Sequence, residues 1–440
     1  MISLGCPRNL VDSEIMLGLL AKRGYRISED IKLSDVAIVN TCAFIDEAKK
    51  ESIDIILQLA RLKKEGSIKV LIVAGCLAQR YPDSLSGELR EVDAFVGTGD
   101  YIKITDIVKK TLNSQRVFEI NKPDFIYNHS TPRLFITPKH FSYLKISEGC
   151  NNHCSFCIIS KLRGKYRSRP IESILKEAGA LSKMGTKELN LISQDTTFYG
   201  KDIYQEFKLA DLLERLAKKR FVPWIRLLYA HPAHFTDRLI KTIADYPSVC
   251  KYIDLPLQHI DDKILSRMKR RINKAGIIKL IDKLKKTIPG LMLRTTFIVG
   301  FPGETEKQFK GLLGFMKQVR FERLGIFTYS KEEGTPAFSF SPQVPRHVKR
   351  RRFNQAMSLQ QDISREINRG FLGREIDVLV DEIDDTDPDL AIGRSMGDAP
   401  EVDGQVFVRT KQRKLKAGSF LRTKIIDTYE YDLVGEDTGV

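Results

Sequence analysis

Six of the seven cysteines in this 440-residue chain form two sets of three, and this arrangement limits the possible folds more than any other feature. The compact set is a C-x3-C-x2-C run within SEGCNNHCSFC: Cys150, Cys154 and Cys157. The scattered set follows short apolar runs typical of strands: Cys6, Cys42 and Cys76. Three thiolates are one fewer than a closed four-cysteine cluster uses. The two sets therefore predict two metal clusters, each with one iron open to another ligand.

Residues 1–120 alternate strand-like and helix-like segments. Short β-branched runs occur at 36–40 (VAIVN) and 70–75 (VLIVAG), and the segments between them have apolar residues at helical spacing. Such alternation predicts a parallel sheet wound with helices, in which the loops at the carboxyl ends of the strands meet at one edge. We therefore expect an N-terminal α/β cluster domain in which the three scattered cysteines lie together.

Residues 121–140 are rich in Pro, Asn and His without a clear period, and we interpret them as a linker. From 141 to 369, six strand-like segments are each followed by a helical stretch. This pattern predicts an open (β/α)6 barrel, a partial TIM barrel. The compact cysteine run directly follows its first strand, on the face where barrel enzymes carry their chemistry.

Residues 370–440 change to a period of two, with Gly, Asp and Pro turns between short strands. They predict a small β-barrel of the oligonucleotide-binding type. The chain has a net charge of +16, yet residues 371–440 contain 16 acidic and 9 basic residues. The basic remainder indicates a nucleic-acid or ribosome-associated partner, whereas the acidic segment would repel phosphates.

We expect neither a membrane-spanning segment nor a signal peptide in this sequence. No apolar run reaches the roughly 18 residues that cross a bilayer. The first 20 residues lack the basic start and apolar centre of a signal peptide. We therefore expect a cytoplasmic protein with reduced thiols rather than disulfides.

Each cysteine set also has a simpler interpretation. The compact run could be a zinc knuckle with His153 as fourth ligand, but His153 directly precedes Cys154, whereas zinc ligands usually show paired spacings. An iron–sulfur cluster on three thiolates is favoured. A lone cysteine after a strand is most often a small core residue, and Cys250, which has no partners, is interpreted as such a structural thiol.

The C-x3-C-x2-C run, with Phe156 before its last cysteine and a strand before the run, resembles the radical S-adenosylmethionine enzymes. The resemblance implies a [4Fe–4S] cluster whose open iron binds S-adenosylmethionine. It also implies that one electron from the cluster cleaves the sulfonium and gives a 5′-deoxyadenosyl radical. Such a radical removes hydrogen from an unactivated carbon, which no side chain can do.

With SLGCPRNLVDSE and VNTCAFIDEA, the scattered cysteines resemble the methylthiotransferase branch of these enzymes. This resemblance spans nearly the whole chain and implies that the last barrel is a TRAM β-barrel. It implies a second [4Fe–4S] cluster on the scattered cysteines, whose open iron holds an exogenous sulfur. That sulfur is methylated by a second S-adenosylmethionine and delivered to the substrate radical.

Two subfamilies of this branch differ in substrate. One modifies adenosine in transfer RNA, and the other, the RimO type, modifies the β-carbon of an aspartate in small-subunit ribosomal protein S-twelve (uS12). The segment GCPRN resembles the RimO type, where the transfer-RNA enzymes typically have GCQMN, and FIVGFPGETE and AIGRSMGDAPEVDG also resemble it. The acidic segment 371–440 suits a very basic protein better than RNA.

We therefore expect uS12, free or in the small subunit, as the partner, and neither DNA nor a membrane. A sulfur donor and an electron-donor protein complete the expected partners, without a sequence signal for either. Transfer-RNA adenosine is the alternative substrate. A non-catalytic iron–sulfur or RNA-binding scaffold is the alternative from another class.

Strand-end residues supply candidates for the S-adenosylmethionine pocket, with an ordinary structural role as the alternative for each. The resemblance places FIVGFPGETE near the cofactor. The candidates are Phe156, Gln194, Asp195, Arg226, Gln258 and Gly300. The basic runs KLRGKYRSR (161–169) and KRRR (349–352) are expected by default to face solvent. Contact with the cofactor or substrate is the alternative for the first run.

Overall fold

The computed structural model of the chain describes residues 1–412 and 415–439. Its N-terminal unit is a five-stranded parallel sheet in which strands adjacent in sequence are adjacent in space. The strands are β1 (Ile2–Ser3), β2 (Val36–Thr41), β3 (Val70–Gly75), β4 (Ala94–Val96) and β5 (Val117–Glu119). The helices are α1 (Pro7–Lys22), α2 (Asp46–Lys64), α3 (Cys76–Arg80), α4 (Pro82–Glu88) and α5 (Ile104–Leu112).

Helices cover both faces of this sheet, which is why its central strands are apolar along nearly their whole length. One face packs against α1 and α5, and the other packs against α2. The first apolar cluster continues into the barrel that follows, since it also contains Tyr143, Trp224 and Tyr252. The N-terminal unit therefore packs directly on the barrel.

Between positions 120 and 140 the chain forms no helix or strand. The second unit then contains β6 (Phe141–Lys145), β7 (Ser147–Glu148), β8 (Arg167–Ser168), β9 (Glu188–Ile192), β10 (Trp224–Leu227), β11 (Val249–Asp254), β12 (Met292–Val299) and β13 (Arg323–Thr328). Its helices are α6 (Ile159–Arg163), α7 (Ile171–Lys183), α8 (Leu209–Lys219), α9 (Asp237–Asp245), α10 (Asp262–Arg267), α11 (Lys274–Thr287), α12 (Glu306–Val319) and α13 (Arg346–Arg369).

Six of these strands form one parallel sheet in the order β6-β9-β10-β11-β12-β13, so that β6 and β13 are its edges. The short strands β7 and β8 pair as an antiparallel ribbon beside it. Helices α7, α8, α9, α11 and α12 pack against the sheet around a large apolar core. The predicted open six-stranded barrel is therefore confirmed.

The third unit is a closed five-stranded barrel in the order β14-β15-β16-β18-β17. Its strands are β14 (Glu375–Ile383), β15 (Leu390–Ser395), β16 (Val406–Arg409), β17 (Phe420–Thr428) and β18 (Leu433–Asp437). Small and β-branched residues fill its interior. The predicted C-terminal β-barrel is confirmed.

The C-terminal barrel lies at the amino-terminal end of the larger barrel. Its segment 395–403 inserts there, where Arg323, the first residue of β13, forms an ion pair of 2.6 Å with Asp398. Arg294 pairs with Asp403 at 3.2 Å in the same region. The cysteine loops lie at the opposite, carboxyl-terminal end. The C-terminal barrel and the cysteine loops therefore lie at different ends of the large barrel. Among the described residues, no helix is long and apolar enough to cross a membrane.

Candidate active site

The scattered cysteines each follow a neighbouring strand of the N-terminal sheet. Cys6 follows β1 and precedes the first residue of α1, Cys42 directly follows β2, and Cys76 is the first residue of α3 directly after β3. Because β1, β2 and β3 are adjacent and parallel, the three thiols reach the same edge of the sheet. The sequence predicts this arrangement, and the structure has it.

Close backbone packing holds this edge together. Gly5 has a φ of +88°, and a Cβ added there would lie 2.7 Å from Cys42 Cβ and 3.0 Å from its Sγ. The amide of Asn9 donates to the carbonyls of Leu4 and Thr41 at 3.0 and 2.9 Å. Asn9 thus ties the loop before α1 to the end of β2. The Sγ of Cys76 lies 3.9 Å from Asn9 Oδ1.

Burial and nearby cations act in opposite directions on these thiols. Burial raises the pKa of Cys42 to about 12, and Cys76 and Cys6 add to the rise. Burial also raises the pKa of Cys76, against the charge of Arg163. For Cys6, burial is outweighed by the charges of Arg8 and Arg163, which hold the pKa below its usual value. The thiols therefore act on one another, as members of one site do.

The compact cysteines lie in the loop between β7 and α6, at the mouth of the large barrel. Gly149 begins the loop with a φ of +80°, and a Cβ there would overlap the backbone of Lys165. Ser155 anchors the middle of the loop, because its N–H donates to the carbonyl of Met268 at 3.1 Å and its hydroxyl donates to that of Arg267 at 2.7 Å. The loop is therefore fixed by the segment before β8 on one side and by the end of α10 on the other.

The three thiols of this loop also share one environment. Burial raises the pKa of Cys150 to about 11 and that of Cys157 to about 12, and Cys154 adds to both rises. Arg270 Nη1 donates to Cys154 Sγ at 3.5 Å. Phe156 packs in a small apolar cluster with residues of α10 and of the loops after β12 and β13. His153, the alternative zinc ligand, is exposed.

A buried ionic network connects the two cysteine sites. Asp12 of α1 accepts hydrogen bonds from Lys145 Nζ at 2.5 Å and from Arg163 Nη1 at 2.6 Å. Lys145 also donates to Glu148 at 2.7 Å. Arg163 Nη2 lies 3.7 Å from Cys76 Sγ. The network therefore runs from Cys76 at the sheet edge to Glu148, two residues before Cys150.

Three of the predicted cofactor residues gather around the end of β12. Gln258, with a φ of +73°, exchanges backbone hydrogen bonds of 2.8 Å with Thr296 and Ile298 of β12. Gly300 directly follows this strand, and Phe156 and Ile298 pack on the same apolar cluster. The side-chain Oε1 of Gln258 is buried without a hydrogen-bond partner among the described residues. A polar ligand could satisfy it.

Gln194 and Asp195 lie at the end of β9, beside the cysteine loop. The amide of Gln194 donates to Glu148, and its Oε1 is buried without a partner among the described residues. Asp195 accepts from Asn152 of the loop at 2.6 Å and is bonded to His234 at 2.8 Å. Asp195 therefore holds the loop in place through a saturated hydrogen-bond network.

Arg226 does not join this group. It is fully buried within the barrel, pairs with Glu188 at 2.6 Å and donates to the carbonyl of Met396 at 2.8 Å. Its guanidinium lies 4.8 Å from the ring centre of Tyr252. Arg226 thus contacts the barrel strands and the inserted C-terminal segment, while its Nη2 is buried without a partner in the described part of the chain.

The two basic runs were expected to face solvent, but several of their arginines are buried. Within KLRGKYRSR, Arg163 and Arg169 are 2% and 0% exposed, and both are ion-paired. Arg352 of KRRR is also buried and pairs with Glu304. A periodic pattern could not reveal this, because the partners of these arginines are distant in sequence. Two arginines near the cysteines, Arg8 and Arg270, were not among the predicted site residues. The sequence offers only their positions as a signal: Arg8 lies in GCPRN, and Arg270 lies in the KRR that ends DLPLQHIDDKILSRMKRR.

Family models match three consecutive parts of the chain. Residues 1–97 match the uncharacterized protein family UPF0004, residues 144–316 match the radical SAM superfamily, and residues 372–437 match the TRAM domain. The three matches follow the three units of the fold in order.

Full-length relatives decide the family. The ribosomal protein uS12 methylthiotransferase RimO of Desulforamulus reducens is 49% identical over 437 residues, covering 99% of this chain and 98% of that protein. The chain belongs to the RimO family. RimO of Pelobacter propionicus and of Geobacter sulfurreducens are 49% and 48% identical, each over 99% of this chain and 97% of the relative.

Membership of the RimO family confirms the expected enzyme class, a radical S-adenosylmethionine methylthiotransferase, and its cofactors, [4Fe–4S] clusters and S-adenosylmethionine. The transfer-RNA alternative is not favoured by these relatives. Among solved structures, the radical S-adenosylmethionine methyltransferase TsrM of Kitasatospora setae superposes with a TM-score of 0.57. It is 13% identical, covering 82% of this chain and 87% of that one, so the likeness concerns the fold alone.

Proposed function

We propose that this RimO-family chain adds a methylthio group to the β-carbon of an aspartate in uS12, in the cytoplasm. The observation that carries the proposal is the placement of two three-cysteine sites at the mouth of one barrel. Arg8, two residues after Cys6, donates to the carbonyl of Ser193, whose hydroxyl is bonded to Ser147, three residues before Cys150. A substrate side chain at this mouth is therefore within reach of both sites.

Each cysteine set fits a cluster with one open iron. Three soft thiolate donors on three separate backbone positions are the ligand chemistry of iron–sulfur clusters. We assign the radical-generating cluster to the set Cys150, Cys154 and Cys157. We assign the sulfur-carrying cluster to the set Cys6, Cys42 and Cys76. When bound, the first cluster and S-adenosylmethionine supply a carbon radical, and the second supplies the sulfur.

The residues of the chain itself hold and shield this chemistry. Phe156 and the apolar cluster around it exclude water from one side of the compact loop. The unpartnered oxygens of Gln258 and Gln194 are acceptors for the amino and ribose groups of S-adenosylmethionine. Arg270 donates a hydrogen bond to Cys154 Sγ and so holds this side of the loop against the end of α10. Gly300 directly follows β12, the strand that Gln258 pairs with through Phe297.

The support for uS12 as substrate comes from the relatives and from the mouth of the barrel. The acidic C-terminal unit lies at the opposite end, and its Asp398 and Asp403 pair with arginines of the large barrel. Its exposed Glu382 and Asp385 can therefore contact only parts of uS12 remote from the reacting aspartate. The mouth itself carries arginines, which suit an anionic side chain.

Two cysteine variants separate the two assigned roles. Anaerobically reconstituted Cys154→Ala protein should lose the reductive cleavage of S-adenosylmethionine, because the radical-generating cluster loses a ligand. Cys42→Ala protein should still release 5′-deoxyadenosine but should form no methylthio product on a uS12 peptide. Chromatography of the nucleoside and mass spectrometry of the peptide measure the two outcomes, and Cys250→Ala is the matched control at a buried cysteine outside both sites.

The assignment of the second cluster is wrong if Cys42→Ala protein forms methylthio product at the normal rate. The enzyme class is in error if the unsubstituted protein, incubated with S-adenosylmethionine and a reductant, releases no 5′-deoxyadenosine.

A further inference from the structure

Arg8 lies at the mouth of the barrel, beside the scattered cysteines. Its guanidinium has no acidic partner among the described residues. Within residues 1–412 and 415–439, no carboxylate oxygen lies within 4.0 Å of its guanidinium nitrogens. Each fully buried arginine, in contrast, is paired with a carboxylate: Arg163, Arg169, Arg226, Arg323, Arg352 and Arg394. A half-buried guanidinium without such a partner is a ready site for an anion.

The position of the Arg8 guanidinium is fixed from two sides. Its Nη1 donates to the carbonyl of Ser193, one residue beyond β9, at 2.7 Å. Its Cζ lies 4.2 Å from the ring centre of Tyr229, which follows β10. The carbonyl and the aromatic face hold the cation without neutralising its charge. Arg8 also hydrogen-bonds the Cys6 sulfur, and the other N–H groups of the fork are available to a ligand.

Arg8 also bridges the N-terminal sheet and the barrel. It comes from the first turn of α1, two residues after Cys6, yet its side chain reaches the barrel strands. The Ser193 residue that it contacts is hydrogen-bonded through its hydroxyl to Ser147, three residues before Cys150 of the other site. Glu148 is the carboxylate whose charge acts on Arg8, but it is already paired with Lys145 and Arg163. Arg8 is therefore a cation beside the scattered cysteines with which an incoming carboxylate can pair.

We propose that Arg8 binds the side-chain carboxylate of the substrate aspartate and so selects an acidic residue for methylthiolation. This inference rests on the proposed function and adds the group that recognises the substrate. The guanidinium can hold a carboxylate through two parallel hydrogen bonds, which fix the direction of the adjacent β-carbon. Orientation of that carbon toward both cysteine sites is what the reaction requires.

The test compares two uS12 peptides that differ only in aspartate or asparagine at the modified position. Binding of each peptide to reconstituted protein is measured by fluorescence anisotropy, separately from turnover. The unsubstituted protein should bind the aspartate peptide more tightly by about 10- to 100-fold, the range for hydrogen bonds to charged groups. In Arg8→Gln this preference should disappear, and in Arg8→Lys it should be partly retained, because the charge remains and the fork is lost.

A purely structural role for Arg8 predicts a different result. Arg8→Gln would then weaken the binding of both peptides equally, or the variant would lose iron and the absorption spectrum of the clusters. Arg8→Lys would prefer the aspartate peptide as strongly as the unsubstituted protein does. Either result overturns the proposal. Failure of the proposed function is seen elsewhere, as absence of methylthio product from the unsubstituted protein, whatever the ratio of the two binding constants.

Discussion

Gly149 shows how one residue fixes the geometry of the compact cysteine loop. Its φ of +80° strains any other residue, and a Cβ there would also overlap the backbone of Lys165. We predict that Gly149→Ala destabilises the protein by about 2–4 kcal/mol, from left-handed strain of roughly 1–2 kcal/mol plus steric overlap. The loop should consequently retain less iron. Chemical denaturation and iron analysis after reconstitution measure both effects.

Gly66 provides the matched control for this variant. It has a similar φ of +77°, but nothing lies within 4 Å of a Cβ added there. Gly66→Ala should therefore show the strain alone, with a normal iron content. Equal losses of stability and of iron in the two variants would mean that the close approach to Lys165 does not hold the loop.

At the scale of elements, the position of the cysteines after parallel strands could be predicted, whereas their surroundings could not. The run VLIVAG became β3 at its predicted bounds, because a buried central strand is continuously apolar. The three-residue strands β4 and β5 were missed, since they are too short to show a period. The basic residues Arg163 and Arg169 were interpreted as solvent-facing, because their acidic partners lie in other elements.

The contact of α1 with the barrel depends on Asp12. This carboxylate pairs with Lys145 of β6 and with Arg163 of α6, and all three side chains are buried. Asp12→Asn should lower the free energy of unfolding by about 1–3 kcal/mol, because the buried cations Lys145 and Arg163 keep only Glu148 as a carboxylate partner within the described residues. It should also loosen the connection between the two cysteine sites. Urea denaturation measures the first effect, and the yield of methylthio product per 5′-deoxyadenosine measures the second.

Asp35→Asn is the control for Asp12→Asn. Asp35 pairs with Lys69 at 2.8 Å, but both side chains are exposed, so its loss should leave the denaturation midpoint nearly unchanged. The interpretation of α1 as an ionic anchor would be contradicted if the two variants unfolded at the same urea concentration.

At the scale of the whole molecule, the N-terminal and C-terminal units pack on opposite ends of the large barrel. The N-terminal sheet brings its cysteine edge to the carboxyl-terminal mouth, while the TRAM barrel inserts residues 395–403 at the other end. The composition of residues 371–440 revealed an acidic unit but could not reveal where it docks. Part of its negative charge is used within the molecule, against Arg323 and Arg294. Selection of the substrate at the reacting site is therefore a property of the mouth.

The most direct test of this account is the mass of uS12 after anaerobic incubation with the reconstituted enzyme, S-adenosylmethionine, a reductant and a sulfide source. We predict a mass gain of one methylthio group on a single aspartate of uS12, and no gain when Cys42→Ala protein is used. An unmodified uS12, together with methylthio-adenosine formed in transfer RNA under the same conditions, would contradict the account.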